Sequence, residues 1–212
     1  MKKIIYKIYR KFFPDYQIEL GKLTKDCKSL LDIGCGDNSP IHPFSKRIYC
    51  VGLDIFEPSL EKSKKKKIHN EYYKIDYSQA EEIFEENSFD CVLASDFIEH
   101  LEKKEGYELL RIMEKLSKKK VIIFTPNGFL PTGEYEGNPW QVHKSGWTVE
   151  EMKKRGYRVY GINGFKGLRE GLAKIRFKPR PFWLLISNIS QYYTKNHPEK
   201  AFHLLCVKDM DK

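Results

Sequence analysis

"SLLDIGCGDNSP", residues 29–40, carries an apolar run into two glycines one residue apart, Gly34 and Gly36. Glycines placed directly after a buried strand mark a turn whose backbone approaches another backbone or a ligand more closely than a side chain would allow. A dinucleotide turn has a third glycine three residues after the second, for close packing of helix on strand. Ser39 stands there instead. That weakens a nicotinamide reading and leaves a cradle for a different ligand.

Outward from this turn, short apolar runs alternate with helical or polar stretches. Strands are expected at 29–33, 48–53, 72–75, 90–94, 120–125, 157–162 and 201–207, and helices at 80–86, 104–117 and 148–155. "TVEE", Thr148 to Glu151, has the spacing of a capping box and opens the last helix. Runs such as "CVLA" and "VIIF" are apolar without alternation, as in strands covered on both faces. The pattern is that of an α/β domain around a mostly parallel sheet.

Residue by residue, "LDIGCG" resembles the first motif of the class I S-adenosylmethionine-dependent methyltransferases, in which an acidic residue, here Asp32, ends strand one before a Gly-x-Gly turn. The family often has a further glycine where Asn38 stands; asparagine can adopt a left-handed conformation there. "YCVGLDIFEPSL" ends a second strand at Asp54, a carboxylate able to accept from both ribose hydroxyls, and "YYKIDYSQA" puts Asp76 at the family position facing the adenine amino group. "FDCVLASDFIEHLEK" resembles the fourth motif, with Ser95 and Asp96 beside the cofactor's methionine part. The resemblance implies a single-domain, doubly wound seven-stranded sheet, helices on both faces and an antiparallel last strand. It also implies S-adenosylmethionine as cofactor, held by Asp32, Gly34, Cys35, Gly36, Asp54, Ile55, Asp76, Tyr77, Ser95 and Asp96.

The implied reaction is displacement at a sulfonium methyl, so alignment of reactants carries much of the catalysis and no metal is required. A base is needed when the attacking atom bears a proton. His143, in the loop "GNPWQVHKSGW", and His100, in "IEHL", are the candidates. His100 also reads as a histidine that fixes a helix start, and Trp140 and Trp147 as residues that pack the loop down. Glu99 and Tyr135 are weaker alternatives; His42, His69, His197 and His203 have no supporting context. The turn Ser95-Asp96-Phe97-Ile98 lacks the Asn/Asp-Pro-Pro-Tyr sequence of enzymes that methylate base amines. A small or medium acceptor is expected, with oxygen preferred over nitrogen or carbon. A non-catalytic cofactor-binding protein, an RNA methyltransferase and a nicotinamide-dependent oxidoreductase remain as alternatives.

A chain of 212 residues with 41% hydrophobic and 14% aromatic residues supports one well-buried domain. The five cysteines are scattered, with no Cys-x-x-Cys pair, which fits a reducing, cytoplasmic setting and shows no zinc motif. No apolar run reaches the ~20 residues of a membrane span. The net charge of +9 allows nucleic acid, acidic lipid or a lysine-rich surface, and Lys64 to Lys67 read as a helix end or loop. Residues 1–26 read as a basic, amphipathic helical extension that either docks on the core, covers a ligand site or touches an anionic membrane. Residues 27–212 form the domain, with a helical insertion at about 165–200 whose aromatic residues wall an acceptor pocket, rest on lipid or form a satellite core.

Overall fold

A computed structural model describes residues 12–13, 15–133 and 138–210. Of the helical extension expected over 1–26, residues 1–11 and 14 lie outside the described residues, as does Tyr135. Within them, α1 (Tyr16–Leu23) begins at Asp15, whose side chain accepts from the Ile18 amide. The strands that follow in the main sheet are β1 (Ser29–Ile33), β2 (Tyr49–Leu53), β3 (Glu71–Tyr73), β4 (Phe89–Ser95), β5 (Ser117–Pro126), β6 (Arg158–Phe165) and β9 (Ala201–Asp209). Their spatial order is β3-β2-β1-β4-β5-β9-β6. β1 to β5 pair in parallel, and β9 runs antiparallel between β5 and β6.

Strand residues divide by parity between two cores. Leu31 and Ile33, Val92 and Ala94, Val121 and Ile123, Leu204 and Cys206 face one core. Their neighbours Leu30, Cys91 and Leu93, Ile122 and Phe124, Leu205 and Val207 face the other. Both faces are covered, so the strands read as continuous apolar runs. The first core is closed by α4 (Lys103–Leu116), which buries Leu109, Leu110, Ile112, Met113 and Leu116, and by α5 (Val149–Lys154). Thr148 and Glu151 exchange the two capping-box hydrogen bonds at the start of α5. Leu20 of α1 seals the second core.

Two local readings differ from expectation. The helix anticipated over 80–86 is only α3 (Ala80–Ile83), because Phe84 turns extended and its ring packs edge-on against Tyr73 and Phe89. α2 (Glu57–Lys66), which pattern alone did not reveal, buries only Leu60 and Ser63, too few apolar residues to form a stripe. Lys64 to Lys66 finish α2, and Lys67 caps it in the left-handed conformation. All five cysteines are free and buried.

Between β6 and β9 lie a small hairpin, β7 (Arg169–Glu170) with β8 (Lys174–Ile175), and α6 (Arg180–Thr194). α6 covers the edge strand β6 with its polar face. Gln191 accepts from the Gly164 amide and donates to the Gly161 carbonyl, and Ser190 accepts from the Phe165 amide. Those bonds satisfy an edge strand that would otherwise invite pairing with another chain. A Cβ on Gly161 would lie 2.1 Å from the Thr194 carbonyl oxygen, whereas one on Gly167 meets nothing within 4 Å. Gly161→Val is therefore expected to cost about 1–3 kcal/mol and to lower Tm by several degrees in thermal unfolding, while Gly167→Ala leaves Tm almost unchanged.

Candidate functional site

A cleft of ≈ 440 Å³ lies where β1 and β4 end, lined among others by Asp32, Gly34, Gly36, Ser95, Asp96 and Gln141. Open α/β sheets place ligands at the carboxyl ends of their strands in this way. The turn after β1 has positive φ at Gly34 (+67) and Gly36 (+54). Asn38 is not among the residues with positive φ, so the two glycines alone carry the left-handed conformations and the asparagine need not take one. The glycines differ in purpose. A Cβ on Gly34 would enter the Phe97 ring at 2.1 Å; one on Gly36 would meet no protein atom within 4 Å. Gly36 thus leaves its space to whatever occupies the cleft.

Asp32 explains Ser39. The aspartate is 1% exposed, and its Oδ2 accepts from the Ser39 hydroxyl at 2.5 Å and lies 2.9 Å from His69 Nε2. The serine that breaks the dinucleotide pattern is a hydrogen-bond partner for a buried carboxylate. His69 belongs to the same network, a role that its isolated sequence position gave no means of finding. Gly52 of β2 makes room for it: a Cβ there would lie 2.9 Å from Cys35 Sγ and 3.0 Å from the His69 ring.

Asp54 ties the next strand to the turn. Its Oδ2 accepts from the Gly36 amide at 2.9 Å and its Oδ1 from the Phe56 amide at 2.8 Å. Burial raises its carboxyl above the ordinary value, with Asp32 adding to the rise and the two amides opposing it. Two of a carboxylate's roughly four lone-pair sites remain for a ligand. Asp54, Ile55, Asp76 and Tyr77 do not themselves line the cleft. Asp76 caps the short turn Tyr77–Gln79 by accepting from the Ser78 amide. Tyr77 turns its ring into the core, where its hydroxyl donates to the Glu105 carbonyl. Cys35 is buried, which pushes its thiol well above the usual range.

At the far side of the cleft Asp96 adopts a left-handed backbone, φ 48, of the kind concentrated at functional sites. The protein around it pushes its carboxyl up to about 7. Its side chain is nevertheless 54% exposed, so solvent in the open cleft weakens that shift. Tyr16 of α1 stacks on Phe124, ring centroids 3.8 Å apart, with its buried hydroxyl close to Ser95. Sequence reading found neither Gln141, which lines the cleft, nor Tyr16, which lies beside the cleft-lining Ser95, because both arrive only through the folding of distant segments.

His100 and His143, 43 residues apart in sequence, meet edge to face with ring centroids 4.8 Å apart. The Glu99 carbonyl accepts from the amides of Lys144 (2.8 Å) and Ser145 (3.1 Å), which holds the loop after β5 against the turn after β4. Trp147 is fully buried and packs this loop down, while Trp140 stays 49% exposed. Burial lowers the pKa of His100 to about 4, with His143 adding to the effect, so His100 is neutral at physiological pH. Burial also lowers that of His143. His203 stacks on Phe124 and is held neutral by burial, its pKa down to about 3.

Residues 31–125 match the family model described as a methyltransferase domain. The fold is that of a methyltransferase from Archaeoglobus fulgidus described as SAM-dependent (19% identity, TM-score 0.57, covering 96% of this chain and 99% of that one). It is likewise similar to the magnesium protoporphyrin IX methyltransferase of Synechocystis PCC 6803 with bound SAM (15% identity, TM-score 0.50, covering 96% and 90%). The plantazolicin methyltransferase BamL in complex with SAH is similar at 14% identity and TM-score 0.53, covering 92% and 82%. A sequence search of curated proteins gives no match. Residues 31–125 thus match a methyltransferase domain, and the chain as a whole has the fold of S-adenosylmethionine-dependent methyltransferases. The match spans β1 to β5; the loop bearing His143 and everything after it lie beyond.

The Asp32 network is testable apart from any ligand. His69→Leu leaves a buried carboxylate with one partner fewer, a loss of about 1–3 kcal/mol. Thermal unfolding should show a lower Tm for His69→Leu and a partial recovery for His69→Gln, whose amide can still donate.

Proposed function

We propose that this chain methylates an oxygen of a small or medium-sized acceptor, with the cofactor in the cleft at the ends of β1 and β4 and the acceptor entering beside Glu99, His100 and His143. When bound, S-adenosylmethionine supplies a methyl group on an electrophilic sulfonium. The observation that carries the reading is that one turn serves two differently built halves. Asp96 of the turn after β4 lines the cleft with the glycine turn and Asp32. The same turn carries Glu99 and His100, which form with His143 a cluster able to act on an acceptor's proton, although none of the three lines the cleft itself.

Asp54, fixed by the Gly36 and Phe56 amides, would accept from the ribose hydroxyls, and Asp76 would face the adenine. Gly36 gives up side-chain volume so that the ligand can lie on the backbone. Oxygen is preferred because a hydroxyl must lose its proton as it is methylated, and the histidine pair is neutral and keeps lone pairs. Lone-pair donation at this end goes to a proton or to a cation.

Isothermal titration with S-adenosylhomocysteine should give saturable binding near one per chain, and NADH none. Gly36→Ala meets no protein atom but is strained at φ +54, so it should lower Tm slightly, by about 1–2 kcal/mol of stability, while weakening S-adenosylhomocysteine by about tenfold, or 1.4 kcal/mol. Binding of NADH alone would overturn the cofactor half of the reading. In an acceptor screen read by S-adenosylhomocysteine release, hydroxyl compounds should turn over and their amine analogues and RNA oligonucleotides should not. Cofactor binding without turnover of any acceptor would favour a non-catalytic binding protein.

A second property rests on α6. Its outward stripe of Phe182, Leu185, Ile189 and Tyr192 is exposed, and the exposed basic residues Lys174, Arg176, Lys178 and Arg180 adjoin it. Among the described residues no helix is long and apolar enough to cross a membrane. An apolar stripe beside basic charge suits the surface of an anionic bilayer. In flotation with anionic vesicles the chain should rise with the lipid, and Phe182→Asp/Ile189→Asp should leave it at the bottom. Wild-type protein that stays at the bottom would remove the membrane contact and leave the methyltransferase reading untouched.

A further inference from the structure

The geometry points to a binding site for a first-row divalent cation formed by Glu99, His100 and His143, on the turn and loop that carry the cleft-lining Asp96 and Gln141. One carboxylate oxygen and two imidazole nitrogens lie within 4.8 Å of one another. Bonds of about 2.0–2.2 Å to a shared cation place neighbouring ligands roughly 3–3.5 Å apart. The largest contraction needed, roughly 1.3–1.8 Å, is within the reach of side-chain rotation.

The Glu99 carboxylate supplies the independent observation. The residue is 2% exposed, and its Oε2 accepts from the Thr125 hydroxyl at 2.9 Å. Its Oε1 is buried with no hydrogen-bond partner. As a carboxylate the group is a buried charge without a counter-charge; as an acid it holds a hydroxyl with no acceptor. Either is costly, and a bound cation removes the cost. Asp32, equally buried, shows the contrast, for Ser39 and His69 meet it.

The histidines are prepared for the same purpose. His143 Nδ1 lies 2.6 Å from the Leu130 carbonyl, which can only accept, so Nδ1 carries the proton and Nε2 keeps its lone pair. Backbone carbonyls orient ligand imidazoles in just this manner. His100 is seated by the Val142 carbonyl, 3.4 Å from its Nδ1, with the Asp96 carbonyl also beside the ring. With a proton on one ring nitrogen, its imidazole has a lone pair on the other. The loop that brings His143 is hydrogen-bonded to the backbone of Glu99 itself, so all three donors are fixed on one unit.

Two imidazoles and one carboxylate suit Zn²⁺, Mn²⁺, Fe²⁺ or Co²⁺ better than Ca²⁺ or Mg²⁺, which favour oxygen alone. Three protein ligands leave coordination positions for other oxygens. This consequence rests on the reading of the cleft given above: an acceptor hydroxyl in such a position is acidified and aligned by the cation.

The test is calorimetric titration of the EDTA-treated, dialysed full chain with ZnSO₄ and with MnCl₂, each in the presence and absence of S-adenosylhomocysteine. One cation per chain is expected. His143→Ala and Glu99→Gln should each weaken it by about tenfold or more, with S-adenosylhomocysteine affinity within about twofold of wild type. His143 is only half-buried, so its variant folds even if Glu99→Gln does not. The absence of saturable cation binding to the wild type, or binding that both variants leave unchanged, overturns the site. Cation binding that responds to the variants in a chain that ignores S-adenosylhomocysteine upholds the site and overturns the cofactor reading instead.

Discussion

The burial of the Asp32 carboxylate is the constraint on which the rest of the site depends. A charge-bearing group at the end of a central strand, 1% exposed, must be met by donors, and those donors come from two different segments. Ser39 arrives from the far end of the glycine turn and His69 from the stretch between α2 and β3. Satisfying Asp32 therefore fixes where the turn ends and how β2, α2 and β3 sit beside β1. Asp54 repeats the logic one strand further out by taking the Gly36 amide, so the turn is held from both its sides. The cleft is left over once these bonds are made.

This hierarchy governs what the sequence made legible. Strand positions and their order of use were readable because buried strands are apolar runs, and seven of them occur at the expected places. Asp32, Gly34, Gly36, Ser95 and Asp96 were readable because they are local: each follows directly from the end of a strand, and all five line the cleft. His69 was not, since nothing near it in sequence signals a carboxylate 37 residues upstream. α2 was missed because its exposed lysines conceal a helix that buries only two side chains. Tyr16 comes beside Ser95 through a stack on Phe124 that no spacing rule describes. His100 and His143 were each visible as titratable groups, but their contact depends on two amide bonds to the Glu99 carbonyl, which are tertiary.

α6 shows the same physics with the polarity reversed. A surface helix ordinarily buries its apolar stripe and shows its polar one. Here Ser187, Ser190 and Thr194 are buried against β6 while Phe182, Leu185, Ile189 and Tyr192 face outward. The inversion follows from what α6 must cover. β6 is an edge strand carrying Gly161 and Gly164, with backbone groups to satisfy and no side-chain volume to oppose, and a polar helix face of small residues meets both needs. The apolar stripe is the remainder, which is why it adjoins basic residues rather than core.

Cofactor half and acceptor half are thus built on different principles. The first is set by strand ends and closes its own hydrogen bonds, as the Asp32 network does. The second is assembled from the turn after β4 and a loop outside the matched methyltransferase domain, and it leaves one carboxylate oxygen, Glu99 Oε1, unanswered. A fold that meets Asp32 with two donors has the means to meet Glu99 as well. That it supplies two imidazoles beside Glu99, groups able to donate lone pairs, rather than a lysine or an arginine argues that the missing partner is a positive charge from outside the chain. On the function proposed above, the acceptor's own oxygen would then complete the coordination, and the proposed preference for hydroxyl acceptors would reside in the same three side chains.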